Sequence, residues 1–332
     1  MTTANEAGNR MIIRSRPPAV GEFGWIWIAL VLLVGVSALG APSAIGLASV
    51  YSMLPFASVL VLLAIGQTLV VQQRGLDMSV AAIVTIAGLL VAKFSVLTGS
   101  PMVGVVLTCA VCGAAGILNG LLVARIGISP IVATLATGAL YFGVARILSG
   151  GSAMPIPPSL QALAQARLLG APVLFYVAAV LVVVVSLVLR STVVGRRFIA
   201  VGSNIAAARA QGTRTAAYQI GSYAVAGVCY AIAGIALAGF IGYATPTAGS
   251  SYLLPSIAAV VVGGTPFTGG KGSVVATAGA AMFMTLLDQL VLSLGASPAM
   301  QLLAQAVAII IAVSIRRLPN PAKLLGRHRR LA

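Results

Sequence analysis

Two long stretches of the chain, residues 23–73 and 215–270, carry no charged side chain. Each can hold two or more apolar segments of about 20 residues, the length at which a helix crosses a hydrocarbon core of about 30 Å. Inside lipid the backbone must satisfy its own hydrogen bonds, which leaves helices or a closed barrel. The apolar runs lack strict alternation and outlast the roughly 10-residue strands of a barrel, so helices are predicted. Composition agrees: 60% of the residues are hydrophobic and 7% are charged, against about a quarter charged in soluble domains. The expected fold class is all-α, a polytopic membrane protein of about ten transmembrane helices with broken or re-entrant segments.

Spans are expected near Trp25–Ala41, Leu47–Val71, Leu76–Ala92, Met102–Ala124, Pro130–Leu148, Pro172–Leu189, Ala216–Ile241, Leu253–Val262, Val274–Leu294 and Pro298–Ile315. Residues 1–24 read as a cytoplasmic tail, too polar and too long before the first apolar run for a cleaved signal peptide. Residues 25–315 form the membrane domain, and 316–332 form a second, basic cytoplasmic tail. With the N-terminus inside, Arg74, Arg125, residues 190–214, Lys271 and the C-terminal tail all fall on the cytoplasmic side, where the positive-inside rule places them. Lys93, Arg146 and Arg167 are outer exceptions. An amphipathic piece of the longest outer loop, Leu160–Leu169, suits a lip on the outer surface, although an ordinary connecting loop fits equally well.

A net charge of +16 raises the question of nucleic acid. The basic residues sit at segment ends and in tails, and no soluble domain is available to bind it, so no nucleic-acid partner is expected. Cys109 and Cys112 form a lone CxxC, and the one histidine is His328 in the tail, so neither a metal nor a redox site is expected. No catalytic residue or cofactor site is expected either. Around Lys271 the phosphate-loop pattern fails, with Thr265 where the first glycine belongs and Gly272 where a Ser or Thr must bind magnesium. Energy for any transport must then come from an ion gradient or from a separate ATPase. Asp77 follows Arg74 by three residues and reads as a helix N-cap with a local ion pair. Asp288 lies deeper, beside Gln289, as a pathway residue, a proton site or a partner for polar groups on a neighbouring helix.

The long polar interruption, Arg190–Arg214, holds five arginines and no acid. Its Ala-rich centre, Asn204–Gly212, is predicted to form a short helix offered to a partner, with Gly212 ending it in a left-handed conformation. Breaks at Ser129–Pro130, Pro246, Pro255 and Pro266 point either to a solute pathway or to close helix packing through small residues. Polar residues inside apolar segments, Gln67, Asn119, Thr134, Thr137, Asp288 and Gln289, are candidates to line a translocation path.

Four ordered motifs resemble a known family. They are GQTLVVQQRGLDMSVAAIVTIAG with Gly75, Asp77 and Ser79, the run from Asn119 to Gly151, the 190–214 island, and PTAGSSYLLPSIAAVVVGGTPFTGGKG with Pro246, Gly263 and Gly264. Together, over roughly Val50–Arg317, the chain is similar to the permease subunits of bacterial ATP-binding-cassette importers, in the ribose and monosaccharide branch of the branched-chain amino acid and sugar permease superfamily. The resemblance implies a multi-pass inner-membrane subunit without ATPase activity, partnered by a cytoplasmic ATPase, a periplasmic solute-binding protein and a second permease copy or paralogue, all set in membrane lipid. It also implies that Asn204, Ala207, Ala208, Arg209 and Gly212 belong to the ATPase-coupling helix. The chain departs from the pattern at Ile205 and Ala206, where relatives carry acids, and at Asp288, where a neutral amide is more usual. The first departure implies an apolar pocket in a dedicated ATPase. Alternatives are a permease for nucleosides, branched-chain amino acids or a sugar-like signal, a proton-coupled carrier, and, least supported, an intramembrane enzyme.

Overall fold

The computed structural model describes residues 23–317. The expected tails at 1–24 and 316–332 therefore lie almost wholly outside the described residues. Among those residues the helices are α1 (Trp25–Gly40), α2 (Leu47–Gln72), α3 (Val80–Thr98), α4 (Pro101–Leu121), α5 (Pro130–Ser149), α6 (Pro158–Gln165), α7 (Val173–Ser191), α8 (Val193–Ser203), α9 (Ile205–Ala210), α10 (Thr215–Ile241), α11 (Leu253–Gly263), α12 (Val274–Ser293) and α13 (Pro298–Arg317). Seven of them, α2–α5, α7, α10 and α12, are long and apolar enough to cross a membrane, and α1, α11 and α13 are shorter apolar helices. This is a polytopic all-α membrane protein. The third segment starts later and runs further than expected, at Val80–Thr98, because residues 73–79 are a folded-in connection rather than helix.

At the centre stands α2, in which every residue from Ala57 to Gln72 is buried despite Pro55 inside the helix. Against it packs α10, which also lies along α3 and α4. Lipid tails are as apolar as leucine, so such helices associate through close backbone approach instead of hydrophobic exclusion. Gly116 and Gly120, spaced four apart on α4, supply that approach. A Cβ at Gly116 would lie 2.1 Å from the Tyr223 carbonyl oxygen, and one at Gly120 would lie 2.7 Å from the Ile220 Cα. Gly227 answers from α10, where a Cβ would lie 2.3 Å from the Cys112 carbonyl oxygen.

At one end of the bundle α6 lies across the end of α10. Gln161 donates to the Ile156 carbonyl at 2.7 Å and Gln165 to the Phe240 carbonyl at 3.0 Å. Two short antiparallel pairs frame it, Met154–Pro155 with Tyr243–Ala244 and Arg167–Leu168 with Ala171–Pro172. The amphipathic piece expected over Leu160–Leu169 thus starts earlier, behind Pro158, and gives way to a hairpin at Arg167. The Arg167 guanidinium lies 5.6 Å from the centroid of the Tyr51 ring, a cation–π contact that gives this cation a local partner. The opposite end carries α8 and α9.

Gly116→Leu should separate α4 from α10 and cost about 3 kcal/mol, the top of the usual overpacking range. Gly143→Ala, where a Cβ meets nothing within 4 Å, should be neutral or stabilising. Thermal unfolding in detergent distinguishes them, and equal melting temperatures would contradict the packing account.

Candidate functional site

The 190–214 island folds as two helices, of which the sequence indicated one. The paired arginines hid α8, since Arg196 and Arg197 interrupt its apolar pattern. Thr192 caps it by accepting from the Gly195 N–H at 3.0 Å, and Gly195, Phe198, Val201 and Gly202 form its buried face. Next comes α9, where Asn204 Oδ1 accepts from the Ala207 N–H at 3.0 Å. Gly212, with φ of +78°, closes that helix: its N–H reaches the Arg209 carbonyl at 2.9 Å and the Thr213 N–H reaches the Ala208 carbonyl at 3.1 Å. This paired closure satisfies two carbonyls that the helix end leaves open. Ala206, Ala207 and Arg209 are exposed and Ala208 is buried. Ile205 is half-buried, so it offers a partner less apolar surface than its position suggests.

The end of α8 is fastened to the end of α2. Arg74 donates from Nε to the Gly202 carbonyl at 2.8 Å and from Nη2 to the Ser203 carbonyl. Gln73 donates to the Phe198 carbonyl at 2.7 Å. A cation on the last carbonyls of a helix also complements its dipole. A third segment joins here: the Gly270 N–H donates to the Gln72 carbonyl at 2.9 Å, and a Cβ at Gly202 would lie 2.0 Å from that same oxygen. Arg74 therefore makes no ion pair with Asp77, contrary to the spacing-based expectation. Its φ of 65° places it in the left-handed closure of α2, where its N–H bonds Val71 and the Gly75 N–H bonds Val70. That backbone turn sends the side chain towards α8.

Beyond Arg74 the connection to α3 folds back into the bundle and carries a buried polar network. Asp77 is fully buried, and its Oδ1 accepts from the Ser79 hydroxyl at 2.6 Å and the Ser79 N–H at 2.9 Å. The Asn119 amide donates to the Ser79 hydroxyl at 2.8 Å, and Thr137 donates to Asn119 Oδ1 at 2.6 Å. Gln67 donates to the Asp77 carbonyl at 2.6 Å, and Thr134 accepts from the Met78 N–H at 2.9 Å. Gly75 is required by closeness, since a Cβ there would lie 2.5 Å from the Tyr223 hydroxyl.

Four of the six path candidates, Gln67, Asn119, Thr134 and Thr137, thus meet in one network, at most 3% exposed. Asp288 and Gln289 lie apart on α12, where Asp288 accepts from the Gln305 amide of α13 at 2.7 Å. Gly263 lets α11 approach Thr277 of α12, and Gly264 closes α11 with φ of +106°. Pro246 lies in a bend whose Gly249 N–H donates to Thr85 at 2.9 Å. Near that bend a cavity of about 270 Å³ is lined by residues that include Phe56, Thr85, Tyr243, Thr245, Ser251 and Tyr252. Sequence reasoning missed this cavity and the Arg74 joint. Glycines at 202, 269 and 270 were its one visible trace.

Residues 49–313 match the family described as branched-chain amino acid transport system / permease component. Ribose import permease protein RbsC of Bacillus subtilis is 32% identical over 296 residues, covering 88% of this chain and 91% of that protein. Its namesake in Escherichia coli K12 is 29% identical over 95% of this chain and 98% of its own length. The autoinducer 2 import system permease protein LsrC of Escherichia coli is 35% identical over 72% of this chain and 70% of its own. No solved structure matches the chain significantly. With the family match spanning most of its length, the chain belongs to the permease components of the branched-chain amino acid transport system family.

Proposed function

We propose that this chain is the membrane-spanning permease subunit of an ATP-binding-cassette importer for a monosaccharide or related small polar solute. The names of its ribose and autoinducer-2 import relatives support the solute class. In this reading the chain sits in the bacterial inner membrane with both termini and the α8–α9 end in the cytoplasm. A separate ATPase docks on Asn204–Gly212, a periplasmic binding protein delivers the solute at the α6 end, and a second permease copy or paralogue completes the channel.

The observation that carries the coupling role is the Arg74 joint. A displacement of α9 reaches α8 through the Asn204 N–H, which bonds the Ala200 carbonyl at 3.0 Å, and reaches α2 through Arg74 and Gln73. Since α2 is the buried axis and residues 73–79 hold the polar network, the motion arrives at Gln67, Asn119, Thr134 and Thr137. In this reading these residues line the path and meet solute when the connection shifts. At the other end, the aromatic faces and hydroxyls around the 270 Å³ cavity suit the C–H faces and hydroxyl groups of a small sugar.

Energetics favour the clamp over the strain at Arg74. A left-handed non-glycine residue costs about 1–2 kcal/mol, and each hydrogen bond from a charged donor is worth about 1.5 kcal/mol at the low end that suits an exposed residue. Arg74→Ala keeps the strain and loses the clamp, so both stability and ATP-driven uptake should fall. Arg74→Gly should recover part of the melting temperature lost in Arg74→Ala without recovering uptake. Recovery of uptake by glycine would exclude Arg74 as the joint.

In so short a helix as α9 the cap matters. Asn204→Ala should cost about 0.5–2 kcal/mol of local helix stability and weaken ATPase capture, with Asn204→Ser largely restoring it. Arg209→Glu should abolish capture in copurification from co-expressing cells. Unchanged capture by both variants would place docking elsewhere.

A proton-coupled carrier is the second reading, motivated by Asp288. Its pairing with Gln305 makes it a helix–helix contact that a neutral amide can also accept. Asp288→Asn should therefore leave uptake by the complete transporter within about twofold, a barrier change of roughly 0.4 kcal/mol, and insensitive to a protonophore at fixed ATP. Abolished uptake would favour the carrier.

A further inference from the structure

Between α7, α8 and α10 runs an open groove of about 1130 Å³, its apolar walls formed by the exposed Val184, Val188 and Val225 with Gly221 and, from α2, buried Leu69. Its mouth carries Arg196, Arg197 and Arg214. We propose that this groove is a binding site for one anionic phospholipid of the adjacent leaflet, its phosphate held by the three arginines and an acyl chain laid between α7 and α10.

Three observations point to this occupant. Arg214 to Val225 spans eleven residues of α10, which at 1.5 Å per residue is about 16 Å, close to the roughly 15 Å depth of one hydrocarbon leaflet. Charge is complementary to an anion only: the acids among the described residues are Asp77 and Asp288, and neither lines the groove. Finally, α8 presents exposed Val193 and Val194 beside exposed Arg196 and Arg197. That mixture belongs to a helix lying in the headgroup layer, and basic pockets between spans at that level select anionic headgroups. Arginine stays charged at any working pH and can grip phosphate with two donors. A solute in transit has no need of an apolar groove open to the lipid side, so this site is separate from the transport path and stands whether or not the proposed function holds. Its position against both ends of the α8–α9 unit makes the bound lipid a support for that two-helix unit.

The test is native mass spectrometry of the delipidated full-length chain in detergent, given equal amounts of phosphatidylglycerol and phosphatidylethanolamine with identical acyl chains. The expected result is one retained phosphatidylglycerol per chain, preferred about tenfold or more. Arg196→Gln/Arg197→Gln/Arg214→Gln should abolish the preference. Gly221→Leu, placed where a Cβ meets nothing within 4 Å, should reduce retention of both lipids while the melting temperature is unchanged. Glycerol phosphate at the same concentration should not displace the lipid. The proposal is overturned if wild type holds both lipids equally, if the preference survives the triple variant, if glycerol phosphate competes, or if cross-links from Gly221→Cys report a second copy or the chain's own tail in the groove.

Discussion

The grip of the Arg74 guanidinium on the Gly202 and Ser203 carbonyls is the contact on which the two halves of the molecule depend. On one side stands α2, enclosed from Ala57 onwards. On the other is a short two-helix element whose own contacts with the bundle are few. A guanidinium suits this place because its fork spans two neighbouring carbonyls, and because the end of α8 leaves those oxygens without intrahelical partners. Gly270 and Gly202 bring a third backbone onto the same Gln72 carbonyl. Three chain segments far apart in sequence thereby share one joint.

From that joint the polar network extends inward. Buried polar groups in lipid are costly unless paired, and each one left alone forfeits about 1–3 kcal/mol. Asp77, Ser79, Asn119 and Thr137 hold one another in a chain of short bonds. That chain fixes the fold-back of residues 73–79 and couples the start of α3 to α4 and α5, while Gln67 adds α2 through the Asp77 carbonyl. Small-residue packing of α4 on α10 supplies the surface on which this connection is seated, through Asn119 of α4 and Tyr223 of α10.

Much of the helical frame was legible because lipid leaves the backbone few choices, and the ten expected segments all correspond to helices. The α9 caps were legible for a similar reason: Asn204 and Gly212 carry local signals of helix start and stop. The Arg74 joint was not, because spacing alone favoured its neighbour Asp77, and the left-handed turn that redirects the side chain leaves no sequence mark on an arginine. Gln67, Asn119, Thr134 and Thr137 could be picked out as polar residues in apolar helices, but their mutual bonding arises from tertiary register. The cavity near Tyr252 combines residues from α2, α3, α10 and the 243–252 connection, a convergence that no single motif contains.

The central claim is that force enters through α9 from a separate ATPase and passes through Arg74 to the core. Its most direct test is uptake of radiolabelled ribose, supplied with its binding protein, into proteoliposomes containing this chain with or without the ATPase subunit. ATP-dependent uptake is expected with the ATPase and none without it. Solute accumulation by the chain alone would contradict it.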